Sequence, residues 1–357
     1  MKLNRRHSPA YQAGFSLVEI MVGLVIGMLA SLVIIQIMSV FETQKRTTTG
    51  SADAQTNGAI ALFTIEQQLK MAGYPVMPTG LTESPFKCTT LRVNGAVASP
   101  LVIAPVIITD GGGNASDTIT INYGNTRSGG IPTKITAMPT GLNANVVTNF
   151  GCLNGDATLI LNSISTACDM STVNTGGLPG TTIPPGTTIP LTDITGANTG
   201  SSLACLGTWS TVTYSVNPAG NLVDGVGNEV VAGIVNIQAQ YGISVTANSN
   251  VITNWVDAGG ATWGPAALTV ANRNRIKAIR IAVVARNPKM EPAAVTQACN
   301  STTIAAPTGL CAWAGTVADP APTINMAAAD ANWLRYRYRV FETIIPVRNI
   351  IWSWGAL

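Results

Sequence analysis

Glu19 is the only ionisable side chain in the 27-residue run from Phe15 to Phe41. A carboxylate inside a membrane helix costs about 2.5–3.5 kcal/mol on insertion scales, and such groups are usually functional. The chemistry open to this one is ion pairing. A cut between Gly14 and Phe15 would free an ammonium about one helical turn away from it. Catalytic chemistry has far less to work with. The only histidine, His7, lies beside Lys2, Arg5 and Arg6 in the first fourteen residues. If that segment is removed, no imidazole remains for Ser-His-Asp or Cys-His catalysis, or as a zinc ligand. The six cysteines, Cys88, Cys152, Cys168, Cys205, Cys299 and Cys311, form no C-x-x-C pair. An even count behind an export signal implies disulfides in an oxidising compartment. Many connectivities are open, and short loops favour Cys299–Cys311 and Cys152–Cys168. The stretch from Asp110 to Asp117 resembles a calcium loop only superficially, because it lacks the alternation and terminal Glu of an EF-hand, and it reads as a Gly-rich connection. No metal site and no cofactor are expected.

Two basic stretches could bind an acidic partner. Arg273, Arg275, Lys277, Arg280, Arg286 and Lys289 follow one another with no acid between Ala258 and Met290. Arg335, Arg337 and Arg339 alternate with tyrosines, so a strand would place all three on one face. They read either as a docking face for an acidic protein or DNA backbone, or as solvated strand faces that discourage edge pairing.

The element that would position Glu19 is a long helix. Phe15 to Phe41 would reach roughly 40 Å, more than a bilayer core. The upstream Lys2, Arg5 and Arg6 place the N-terminus in the cytoplasm and the remainder outside, with Lys45 and Arg46 the next basic residues. Glu19, Gly23, Gly27 and Ser31 recur every four residues as one stripe, whose Gly23-x-x-x-Gly27 is a surface that lets membrane helices approach closely. Gly58, Leu62, Ile65, Leu69 and Ala72 continue at helical spacing, and Gly73 before Tyr74-Pro75 is a stop signal. One helix from Phe15 to Ala72 is predicted, with Thr47 to Ser51 the place where it would loosen. Its first half would anchor and assemble, and its second half would pack on a domain.

Beyond residue 73, short apolar runs between turn residues predict strands. They cover Leu101–Thr109, Thr118–Tyr123, Ala157–Asn162, Thr211–Val216, Val230–Tyr241, Ile276–Arg286 and Tyr336–Ile345. Residues 171–201 are rich in Thr, Gly, Pro and Asn and repeat Thr-Thr-Ile-Pro, as expected of an extended surface loop within one domain. The fold class is α+β: a leader over 1–14, a helix over 15–73 with 15–41 membrane-spanning, and a β-rich extracytoplasmic head over 74–357. Charged residues are 10% of the chain, against about a quarter in typical domains. Of 20 Lys and Arg, three lie in the first fourteen residues, leaving 17 against 17 Asp and Glu. Net charge therefore gives no reason to invoke nucleic acid.

The sequence Gly-Phe-Ser-Leu-Val-Glu over 14–19, after a short basic leader and before a long apolar run, resembles the class III signal of type IV prepilins. That resemblance implies a membrane peptidase that cuts after Gly14 and methylates Phe15. It also implies that Glu19 of one subunit neutralises the amino terminus of its neighbour. The segment from Tyr338 to Asn349 resembles the closing signature of the PilW family of type IV pilus assembly proteins, with further likeness at Met71–Tyr74, Gly233–Gly242 and Ile276–Arg286. The family implies a minor pilin with no catalytic residues, which joins other minor and major pilins, the prepilin peptidase and the inner-membrane assembly platform. It would sit in the inner membrane with a periplasmic head before assembly and on the pilus afterwards. Such tip complexes can present a large adhesin. A minor pseudopilin of a type II secretion system shares the N-terminus but fits the C-terminal signature and the length less well. A surface adhesin or DNA-uptake subunit acting through the arginines is the binding-class alternative. Mass spectrometry of the mature chain is expected to find a methylated Phe15 as its first residue; retention of Met1 would contradict the cleavage reading.

Overall fold

The computed structural model describes residue 14 and residues 16–76, 84–98, 103–113, 115–301, 303–304, 306–317, 319–353, 355 and 357. The leader through Ala13, and Phe15, lie outside the described residues. Two compact units divide between Ser51 and Ala52.

The helix α1 runs unbroken from Leu17 to Met71, 55 residues. It does not loosen at Thr47–Ser51: the Thr48 hydroxyl donates to the Gln44 carbonyl at 2.9 Å, a bond made within the helix itself. Its N-terminal part is long and apolar enough to cross a membrane. The helix ends where glycine allows a left-handed turn. Gly73 has φ +75°, and its N–H donates to the Asn122 carbonyl at 2.8 Å.

Three sheets make up the head among the described residues. The first has eight strands in the order Ala96–Val97, Thr90–Val93, Ala167–Thr172, Ala157–Leu161, Ser202–Gly207, Thr133–Thr140, Asn143–Val146, Thr188–Pro190. The second has five: Glu229–Ala232, Asn221–Asp224, Ser210–Val216, Thr118–Tyr123, Val106–Thr109. The third has four: Asn254–Asp257, Ile234–Ile243, Ile276–Arg286, Tyr338–Pro346. Thr118–Tyr123 and Ile276–Arg286 fall where the apolar pattern puts them. The run Val230–Tyr241 instead divides at Gly233, whose φ of +73° passes the chain from the second sheet to the third. Residues 171–201 are less loop-like than their composition: Thr188–Pro190 pairs as a strand, and Ile189, Leu191 and Ala197 are buried.

Ile276–Arg286 is buried on both faces. Ile279, Ile281, Val283 and Ala285 join the core that contains Ala54, Ala61, Ile65 and Leu69 of α1. Ala282 and Val284 meet a second layer, in which Leu310, Trp313, Ile324 and Trp333 cover the outer face. A buried Ile or Leu contributes about 1.5–3 kcal/mol relative to exposure, so each face carries substantial stabilisation.

All six cysteines are paired, as Cys88–Cys168, Cys152–Cys205 and Cys299–Cys311, with Cα separations of 5.6, 5.4 and 5.0 Å. The Cys152–Cys168 expectation is corrected. The antiparallel pair Ala157–Leu161 and Ala167–Thr172 puts Cys168 opposite Leu161, at the far end of the hairpin from Cys152. Cys168 and Cys152 also belong to different cores on opposite faces of the eight-stranded sheet.

Asp117 joins the second sheet to the third. Its buried carboxylate accepts from Ala239 N at 2.7 Å and from Gly111 N at 3.1 Å. Burial, helped by Asp110 and Asp257, outweighs those two donors and pushes it up to about 7. A carboxyl raised in the folded state binds protons there that the unfolded chain has released. Its contribution is therefore complete below about pH 4 and is lost as pH rises to about 7. Urea titrations are expected to show that fall, on the order of a few kcal/mol, flattened in Asp117→Asn. At Gly58, an added Cβ would overlap the Phe341 ring and lie 3.1 Å from Ala285 Cβ. Gly58→Leu should lower unfolding stability by about 1–3 kcal/mol; an unchanged midpoint would show that the ring is free to move.

Candidate assembly interface

The first helical turns carry the candidate chemistry. Every residue described from Leu17 to Phe41 is exposed, including Leu17 at 74% and Phe41 at 67%. Gly14 is exposed just before the helix. Glu19 lies in the first turn, where a negative charge is favoured by the helix dipole, and among the described residues it has no partner. Gly23 and Gly27 are open, with nothing within 4 Å of an added Cβ. The Ser31 hydroxyl donates to the Gly27 carbonyl at 2.8 Å, so its polarity is satisfied within its own helix. The structure thus keeps Glu19, Gly23, Gly27 and Ser31 on one helix. They form a narrow stripe of small residues about 18 Å long with one acid at its start.

The other half of α1 is clamped to the head. Ala54, Gly58, Ala61, Ile65, Leu69 and Ala72 are buried at helical spacing, with Leu62 only half-buried. Ala54 and Ala61 escape a search for large apolar residues because they contribute by being small. Asn57 Nδ2 donates to the Ala232 carbonyl at 3.1 Å, and Asn349 Nδ2 donates to the Ala72 carbonyl at 2.7 Å. The second bond satisfies a carbonyl that the end of a helix would otherwise leave open. The segment Tyr338–Asn349 therefore has a mechanical role here. Phe341 lies against Gly58, Ile345 and Val347 enter the core, and Asn349 closes the helix end.

The basic stretches are corrected. Arg335 belongs to a short 3-10 turn and Arg337 precedes the strand, so only Arg339 lies on the strand Tyr338–Pro346. Arg335 Nε donates to the Glu291 carbonyl at 2.8 Å, and Arg337 Nε donates to Glu291 Oε1 at 3.0 Å. The earlier stretch is mostly internal, neither a docking face nor a solvated one. Arg273 is buried against the carbonyls of Phe86 and Cys88. Lys277 Nζ donates to the Ala247 carbonyl at 2.6 Å. Arg280 lies between the rings of Trp255 and Trp313, at 4.7 and 4.2 Å from their centroids. Burial pushes it below the ordinary arginine range. Arg286 stacks on Tyr336 at 4.8 Å. Such contacts hold the outer layer onto the third sheet and gain strength from desolvation. Apart from the alternation of charged and aromatic residues, nothing in the sequence signals this use.

Comparison with known families matches residues 9–35 to the prokaryotic N-terminal methylation motif and residues 207–349 to the type IV pilus-assembly protein W family. No curated protein and no solved structure matches the chain. The second match ends at Asn349, the residue that caps α1. The methylation motif at one end and the match that closes on the helix clamp at the other both support a PilW-family type IV pilin.

Proposed function

We propose that this chain is a minor pilin that helps prime assembly of a type IV pilus and sits in the tip complex with other minor pilins. The reading rests on one observation above others. The described part of α1 within the methylation motif is exposed throughout, while the same helix from Ala54 onward packs one face into a folded head. A rod of that kind completes its packing with lipid or with sister helices, and the small-residue stripe suits close backbone approach to a sister. Prepilin peptidase would free the Phe15 amine. Glu19 of an incoming subunit would pair with that amine on a neighbour, so a misplaced subunit would leave an unpaired carboxylate in the membrane. The head would lie in the periplasm before assembly and on the pilus afterwards. It would contact other minor and major pilins, and through the tip complex a large adhesin. In this reading Arg339, the only member of its triplet on the strand, is available to an acidic neighbour.

Glu19→Ala is expected to leave processing after Gly14 intact while reducing incorporation into filaments. Immunoblots of sheared pili against whole membranes give the measurement, and normal incorporation would remove the carboxylate's role. With a tag on the head, electron microscopy should show label at filament ends. Uniform labelling along the shaft would refute the tip position while leaving the pilin assignment intact.

A further inference from the structure

A concavity lies in the head, well away in sequence from the clamp of α1. An open cleft of about 610 Å³ is lined by residues that include Arg127, Ile131, Phe150, Asn154, Asp156 and Pro179. Its volume is that of a ligand-sized site. Two large apolar side chains line it yet stay in solvent, Ile131 at 65% exposure and Phe150 at 79%, and Leu178, the chain neighbour of the lining Pro179, is 77% exposed. Grouped exposed apolar side chains of this kind mark interaction surfaces.

The rim is held rigidly. Phe150 stands two residues before Cys152, whose disulfide to Cys205 is buried on both sides. Arg127 follows Thr126, whose N–H donates to the Leu206 carbonyl at 3.1 Å and whose carbonyl accepts from the Tyr74 hydroxyl at 2.9 Å. Leu178 sits in a turn pinned by Asn154, whose Nδ2 donates to the Gly177 carbonyl at 2.6 Å. An exposed aromatic ring on a fixed backbone loses little freedom on binding.

The chemistry left free in the cleft selects the ligand class. Most of its polar groups are already engaged. Asn154 Oδ1 accepts from Thr175 N, Asn125 Oδ1 accepts from Thr208 N, and the Thr126 and Ser128 hydroxyls bond each other. Asp156, the only acid in the lining, is buried and accepts from Leu153 N at 2.9 Å. A saccharide, which needs many free donors and acceptors, is poorly served. What remains is an apolar rim and one cation: Arg127 is exposed and, among the described residues, has no ion-pair partner. We propose that this cleft docks a protein partner that presents an apolar side chain next to a carboxylate on an exposed loop or tail. The cleft lies almost entirely before residue 207, outside the match to the pilus-assembly family, so the inference does not depend on the assembly reading.

The test uses the full chain in detergent micelles against a random-peptide phage library, with a glycan array in parallel. Enriched peptides are expected to carry an aromatic or aliphatic residue beside Asp or Glu. Synthetic versions should bind saturably by fluorescence polarisation, at least about tenfold more weakly to Phe150→Ser and to Arg127→Glu. Arg127→Glu should also shift the selection towards peptides bearing Lys or Arg, an outcome that a purely structural role would not produce. Both residues are exposed, so thermal melting should match that of the unaltered chain and rule out misfolding. No enrichment, enrichment insensitive to both substitutions, or glycan binding abolished by Phe150→Ser would overturn the proposal.

Discussion

The ring of Phe341 occupies the space that any side chain at position 58 would need, and the organisation of the head follows from that close approach. Because residue 58 is glycine, the second half of α1 comes down close to the surface of Ile276–Arg286 and Tyr338–Pro346 and shares one core with them. Small residues at Ala54 and Ala61 extend the contact on the same face, and Ile65 and Leu69 supply the apolar area. Asn349 then fixes the helix end at Ala72, and Gly73 turns the chain against Pro105, where an added Cβ would lie 2.8 Å from the ring. Residues separated by most of the chain are thus bound into one joint. A helix attached this way transmits load into the sheet through packing, since displacing it would open cavities in a core that has none to spare.

The same helix therefore lives in two environments. From Ala54 onward its buried face is small and matched to a particular surface. Before Phe41 it is mostly large and apolar, broken by the stripe of small residues and Glu19, and its described residues are exposed throughout. The hydrophobic effect does not sort lipid tails from leucine side chains, so in a membrane, association of the exposed part would depend on shape and on polar groups that cannot be left alone. Glu19 is such a group, and the Ser31 hydroxyl, already satisfied by Gly27, is not. On the proposed reading, one acid on that stripe would act as a register mark: sliding a neighbour by one turn would separate it from the cation that answers it.

Much of this was legible in the residues. The helix showed itself because its apolar run, its four-residue stripe and its Gly-Tyr-Pro ending agree with one another. Thr118–Tyr123 and Ile276–Arg286 were legible because turn residues bound a pattern that suits a strand. The Val230–Tyr241 run hid a change of sheet, for which Gly233 was the only mark. Disulfide pairing was readable only for Cys299–Cys311, where the separation of 12 residues leaves little choice. Cys88–Cys168 and Cys152–Cys205 depend on the order of strands across the eight-stranded sheet, which local spacing does not encode. The cleft was illegible for the same reason, since Arg127, Phe150 and Pro179 meet only after the sheet has formed.

The misread cations explain a property of the whole head. In a chain only 10% charged, placing Arg273 and Lys277 against buried carbonyls takes them off the outer surface, and stacking Arg280 and Arg286 on aromatic rings half-buries two more. Arg337 is answered by Glu291, which lowers the exposed field further. Long-range electrostatic steering of partners is then weak, because steering needs unbalanced charge at the surface. Recognition falls to short-range complementarity of apolar shape with isolated charges. Such complementarity is slow to find by free diffusion. Anchoring by the apolar helix, on the proposed reading, would offset that disadvantage, because subunits held in one membrane plane would search two dimensions in a fixed orientation. On the proposed reading, a head with little unbalanced charge and an apolar helix long enough to cross a membrane answer the same problem of ordered assembly.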